Sequence, residues 1–214
     1  MTTLPPTHVL PDRDRFLPAA VAGSAALVVV GSAAQLVDYL FHLGMAVLDS
    51  SEDGGAFGVV GDVAAVSAAA AAWLVLVRMR PIRPAAMALP PLLSFLAVDK
   101  IVRLHDHVPH YLAFYAPLLA GAGFGLVDLV RRLSRPRARV VAAGLVLLAA
   151  SFLLHAVGER LLLELGLGDD GLARQVKAVV KHGCEVEGWF LVAIGLTAHT
   201  LSRRRRRRVG WGAG

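Results

Sequence analysis

The chain has one cysteine, Cys184, among its 214 residues. An intramolecular disulfide, a Cys-x-x-Cys redox pair and a thiolate metal cluster are therefore excluded. No serine stands in a Gly-x-Ser-x-Gly context, and neither Ser94 nor Ser151 has a convincing triad around it, so ordinary serine hydrolase chemistry lacks support. Charged residues are scarce, at 18%, and the arginines gather in short clusters between apolar stretches instead of forming one basic face. Despite a formal net charge of +6, that pattern argues against nucleic acid as a partner. A repeat of roughly 20 to 50 residues, a low-complexity linker and a soluble domain are all missing.

What the chain does have is apolar length. Hydrophobic residues make up 56% of it and the mean hydropathy is +0.61, above the roughly half-apolar norm of soluble domains. That excess needs lipid. A helix crosses the hydrocarbon core with about 20 apolar residues, and six stretches qualify: 16–38, 57–77, 84–104, 110–130, 140–162 and 178–201. They are continuously apolar and Ala-rich, without the period-two alternation of barrel strands. The expected fold is an all-α transmembrane helix bundle of six spans over 16–202, with a cytoplasmic segment at 1–15 and a polybasic tail at 203–214. Pro90 and Pro91 are expected to kink the third span. Arg13 and Arg15 before the first span, and the small residues Gly31 to Ala34 within it, imitate a signal peptide. The apolar run continues to Leu48, so an uncleaved span is the expectation.

The connections carry alternating sign. Arg78, Arg80 and Arg83 follow span two, Arg131, Arg132, Arg135, Arg137 and Arg139 follow span four, and Arg203, Arg204, Arg205, Arg206, Arg207 and Arg208 follow span six. Asp49, Glu52 and Asp53 follow span one, and Asp169 and Asp170 lie between spans five and six. Positive residues mark the cytoplasmic side. Both termini are therefore expected inside, in a multi-pass protein of a bacterial-type plasma membrane whose first partner is the bilayer. The arginine tail reads mainly as a topological anchor. It also suits anionic lipid headgroups, at about 1 kcal/mol per basic residue near the surface. Trp211 suits the cytoplasmic interface, and Trp73 and Trp189 read as packing residues.

The ionisable residues within the spans collect at one depth. Asp62 lies about 24 Å outward of Arg78, and Asp99 about 24 Å outward of Arg83, at 1.5 Å per helical residue. His155 and Glu185 reach a similar height, with His105, His110, Glu159 and His182 near the outer boundary and Asp38 and His42 close to it. Groups facing lipid at such depth cost at least about 2.5 kcal/mol each, so they are expected to point inward and find partners. Asp38 and His42, Asp106 and His110, and His155 and Glu159 are four apart, and His182 and Glu185 are three apart. Each pair shares a face where its segment is helical. A His and a carboxylate on one face can ligate a metal, and facing helices complete such sites inside bundles. Asp99, His105, His155, Glu159, His182 and Glu185 are the candidate ligands, for a divalent ion such as zinc or iron. Lys100, Arg103, Arg160, Lys177 and Lys181 occupy the same band and offer the competing outcome, a salt-bridge network that neutralises the acids. Gly121 to Gly125 reads Gly-Ala-Gly-Phe-Gly in an apolar span, which suits close helix packing better than a phosphate loop.

Three phrases in order, Phe95 to Asp106 (FLAVDKIVRLHD), His155 to Leu161 (HAVGERL) and His182 to Trp189 (HGCEVEGW), resemble an uncharacterised bacterial family of multi-spanning membrane proteins. That family has Asp-Glu and then His-Glu on a middle helix, a lone Glu on the next-to-last and Glu-Glu-x-x-Glu on the last. Asp99, His105, Glu159 and Glu185 match the pattern. Lys100, Asp106 and the pair Lys181-His182 depart from it. The chain is more loosely similar to the membrane hydrolase superfamily of alkaline ceramidases and progestin/adiponectin-type receptors, which implies zinc held by histidines and an aspartate. Here there are six expected helices, not seven, and the last lacks His-x-x-x-His.

Three functions fit these residues. The first is a metal-dependent membrane hydrolase in which a metal-bound water attacks a lipid or small amphiphile. The second is a proton- or ion-coupled transporter or sensor in which the same groups titrate, although the apolar inner half offers no continuous polar path. The third is a structural or partner-binding subunit whose polar band fixes helix packing.

Overall fold

A computed structural model describes residues 13–45, 55–78, 84–108, 111–168 and 170–209, with side chains for these except 13–14, 84–86, 105–106, 111–112, 114 and 203–209. The described chain is all helical: α1 (Arg13–Phe41), α2 (Ala56–Arg78), α3 (Pro84–Val102), the short α4 (Leu104–His107), α5 (Tyr111–Val130), α6 (Arg135–Glu164) and α7 (Gly171–Val209). The expected spans 16–38, 57–77, 140–162 and 178–201 lie within α1, α2, α6 and α7, while 84–104 runs past the end of α3 at Val102 and 111–130 of the fourth forms α5. Among the described residues, α1 from Arg15, α2 and α6 are long and apolar enough to cross a membrane, and α5 carries a shorter apolar run from Tyr115 to Val130. The helix α3 passes through Pro90 and Pro91 as one element. The tract Lys181 to Glu187 makes the first half of α7 polar.

Local chemistry sets the ends. Pro136 stands in the first turn of α6, where a missing N–H costs no helical hydrogen bond. At the other end Gly166 takes φ 71°. The Gly166 amide bonds to the Leu163 carbonyl at 3.1 Å and that of Leu167 to Leu162 at 2.8 Å, which closes the helix with a left-handed glycine. The Asp170 carboxylate then accepts from the amides of Leu172 (2.8 Å) and Ala173 (3.1 Å) and caps α7. α3 stops where Arg103 adopts φ 56°, a conformation costly for a residue with a Cβ.

The helix α7 is the hub, packed by α1, α2 and α6, while α3 joins α2 to α5. Small residues allow the approach. A Cβ placed on Gly144 of α6 would lie 2.7 Å from the Gly188 carbonyl oxygen of α7, and one on Gly188 would lie 3.0 Å from the Gly144 oxygen, so the two backbones touch. Gly158 meets Lys177, and Gly195 meets Val141, which makes the two helices antiparallel. A Cβ on Gly61 of α2 would lie 3.0 Å from Lys100 Cε and 3.2 Å from Val186 Cγ2, so α2, α3 and α7 converge at this level. Below it, Ala64, Ala65, Ala68 and Ala72 of α2 form one apolar core with Leu93 of α3, Leu126 of α5, Val141 of α6 and Trp189, Val192 and Leu196 of α7. Trp189 is thus a core residue. Trp73 lies on the surface, its indole N–H donating to Ser94 Oγ at 3.0 Å.

A methyl at the α6–α7 crossing must push two backbones apart. Gly144→Ala is therefore expected to destabilise the fold by about 1–3 kcal/mol, whereas Gly123→Ala, with nothing within 4 Å of the new methyl, leaves the thermal unfolding midpoint in detergent nearly unchanged. Equal midpoints for the two variants would contradict this packing.

Candidate functional site

Where α3 ends beside the first half of α7, a half-buried ion pair joins the two helices. Lys100 Nζ donates to Glu185 Oε1 at 2.7 Å, with the side chains 18% and 22% exposed. His182, one turn earlier on α7, brings Nδ1 to 3.9 Å from Glu185 Oε2. The three-residue spacing of His182 and Glu185 does put both groups on one face. Asp62 of α2 lies within electrostatic reach of Lys100, Arg103 and Glu185. The site therefore joins α2, α3 and α7, with Glu185 at its centre.

Asp99 precedes Lys100 and points elsewhere. It is buried, and Tyr115 of α5 donates its hydroxyl to Asp99 Oδ1 at 2.6 Å. Helical periodicity separates the two: adjacent residues lie about 100° apart, so Lys100 reaches α7 while Asp99 reaches α5. This tyrosine has no local signature, because its partner is on another helix.

The remaining candidates lie apart from this cluster. Glu159 is exposed on α6 and pairs with Lys177 of α7. His155 is exposed one turn earlier, and Arg160 pairs with Glu164 at 2.9 Å on the surface. Asp38 and His42 do not share a helical face: α1 stops at Phe41, His42 adopts φ 51°, and Asp38 Oδ1 accepts the Met45 amide at 2.9 Å in the turn that follows. The backbones of His105 and Asp106 lie in α4, and their side chains, like all of His110, are outside the described residues. The same holds for the arginine tail's side chains, for Asp169 and for the residues 46–54 that contain Asp49, Glu52 and Asp53.

Among the described residues no three His, Cys, Asp or Glu side chains come together to hold an ion. The chemistry agrees, since Glu185 and Glu159 each face an ammonium and Asp99 accepts a phenol. A cation already occupying a carboxylate competes with a metal for the same lone pairs.

Three polar groups escaped the sequence reading. Glu187 follows Glu185 by two residues and so faces away from it; its Oε1 lies 3.0 Å from Ser24 Oγ of α1. Gln35 of α1 is 2% exposed, with neither amide atom hydrogen-bonded. The available signal was a serine and a glutamine inside an otherwise apolar first span. No family model matches the chain, and neither a curated protein nor a solved structure matches it.

Removing the phenol tests the α3–α5 contact. Tyr115→Phe is expected to cost about 1.5–3 kcal/mol, the range for a hydrogen bond to a charged group, read as a lower thermal midpoint, with Asp99→Asn adding little on top. Fully additive losses would show that the two groups do not act together.

Proposed function

We propose that this chain is a structural or partner-binding subunit of the membrane, a six-span bundle whose polar band acts as an internal clamp and not as a catalytic centre. The observation that carries this reading is the Lys100–Glu185 pair: the acid best placed to ligate is already neutralised from a neighbouring helix, at 2.7 Å. Burying a charge without a partner costs several kcal/mol. The pair thus holds α3 against α7 in one register, and Gly61 of α2 leaves room for the Lys100 stem beside it. The metal-dependent hydrolase reading, and with it the likeness to ceramidase-type hydrolases, has less support because its ligand set is dispersed. The proton- or ion-coupled reading is favoured by one observation only, the environment of Glu187.

Six spans and internal termini are supported by the charge pattern, and the helical bundle is compatible with them. Residues 131–139, which join α5 to α6, carry five arginines, and 203–208 carry six more, while the connections at the opposite end carry acids. This asymmetry supports a cytoplasmic arginine side with anionic headgroups against the tail. Span orientation is tested in a Cys184→Ser background with single cysteines placed by Asp53→Cys or Ser134→Cys. In intact cells an impermeant maleimide is expected to label the first and not the second; the reverse pattern would invert the topology.

Elemental mass spectrometry of untagged, detergent-purified protein tests the clamp against the enzyme. The expected result is no stoichiometric zinc or iron in wild type, together with a lower thermal midpoint for Glu185→Ala. Near-stoichiometric metal in wild type that disappears in Glu185→Ala would reinstate the hydrolase reading.

A further inference from the structure

The two glutamates of α7 are held in opposite ways. Glu185 has an ammonium at 2.7 Å. Glu187 faces the seam between α1 and α7, where it has no ion pair among the described residues and Ser24 is the one polar group acting on its carboxyl. Ser24 is itself buried, 6% exposed, and Glu187 Oε2 is buried without a hydrogen-bond partner. At this level α6 presents Leu148 to Gly188, and α2 presents Gly61 to Val186. Lys100 of α3 and Asp62 of α2 belong to the cluster around Glu185.

The single hydrogen of the Ser24 hydroxyl bears on the protonation of Glu187. Ser24 Oγ lies 3.0 Å from the Val21 carbonyl oxygen and 3.0 Å from Glu187 Oε1. A hydroxyl has one hydrogen and two acceptor lone pairs. If that hydrogen goes to Val21, whose carbonyl can only accept, the contact with Glu187 needs a hydrogen from the carboxyl. A neutral carboxyl O–H donating to Ser24 Oγ satisfies both contacts. An ionised carboxylate instead leaves one short contact without a hydrogen and an unpaired charge in an apolar seam, an arrangement proteins avoid by neutralising the group.

The seam also has a polar route to this site. Ser24, Val28, Ser32, Gln35 and Tyr39 recur at helical spacing on one face of α1. That face looks at α7: a Cβ on Gly183 would lie 3.4 Å from Ser32 Oγ and 3.5 Å from Val28 Cγ1, and one on Gly171 would lie 2.6 Å from the Tyr39 hydroxyl. Gln35, buried with both amide atoms unpartnered, lies between these contacts. We propose that Glu187 and Ser24 form a proton-binding site on the α1–α7 seam, in which the Glu187 carboxyl carries an exchangeable proton reached along the polar stripe of α1. The site is separate from the clamp, and its failure leaves the role of Glu185 untouched.

Dicyclohexylcarbodiimide is the probe, used on the full chain in detergent at neutral pH. It enters apolar protein and reacts with protonated carboxyls. The carboxyl proton moves to one carbodiimide nitrogen, the carboxyl oxygen adds to the central carbon, and the acyl group then migrates to nitrogen to give a stable N-acylurea, with nothing leaving. Peptide mass spectrometry is expected to find one adduct on Glu187, none on Glu185, and no adduct at that peptide in Glu187→Gln. Infrared spectroscopy is expected to show a protonated-carboxyl C=O band at neutral pH that Glu187→Gln removes while the thermal midpoint stays near wild type. Absence of both adduct and band would overturn the proposal, as would an adduct suppressed by sodium but not potassium chloride, which would make the seam a sodium site.

Discussion

A charge that leaves water for the interior of a helix bundle costs several kcal/mol unless an opposite charge or a set of hydrogen bonds comes with it. This constraint organises the polar half of the molecule. Lys100 and Glu185 meet at 2.7 Å from different helices, Asp99 takes the Tyr115 hydroxyl at 2.6 Å, and Lys177 meets Glu159 across α6 and α7. Each contact joins two different helices, and that between Lys100 and Glu185 joins helices far apart in sequence. The polar groups therefore specify which helices are neighbours and at what level, something an apolar surface in apolar lipid does poorly.

Packing in the rest of the bundle is carried by residues too small to be specific alone. The alanines of α2 and the glycines at the α6–α7 crossing bring backbones together, where dispersion and close fit replace the hydrophobic effect as the source of association. The helix α7 gathers these contacts, with α6, α2 and α1 around it. Its first half carries His182, Glu185 and Glu187 and its second half Val192 and Leu196. One helix thus supplies both the polar specification and the apolar core. On α7 a step of two residues changes the neighbour from α3 to α1, which is how two glutamates so close in sequence come to have a counter-ion in one case and a serine in the other.

Much of the fold was legible because hydropathy and punctuation are local. Each expected span coincides largely with a helix, and among the described breaks the end of α6 falls at Gly166 and the start of α7 at Asp170. The His182–Glu185 contact was legible for the same reason, since helical spacing alone brings those residues to one face. The rest depended on information that spacing does not hold. The Asp38–His42 pairing assumed a helix that ends at Phe41. Equal depth leaves rotation about the helix axis free: His155 and Glu159 are exposed on α6, with Glu159 paired to Lys177 of α7. Partners on distant helices, Tyr115 for Asp99 and Ser24 for Glu187, required the bundle itself.

The central claim is that Lys100 and Glu185 act as one unit holding α3 to α7. A double-mutant cycle on thermal stability in detergent, with Lys100→Met, Glu185→Leu and the double variant, measures this directly. Each single change is expected to cost about 3–5 kcal/mol because it strands a charge inside the bundle, and the double variant to recover most of that loss. Single losses that simply add would contradict it, and would mean that the two groups do not depend on each other.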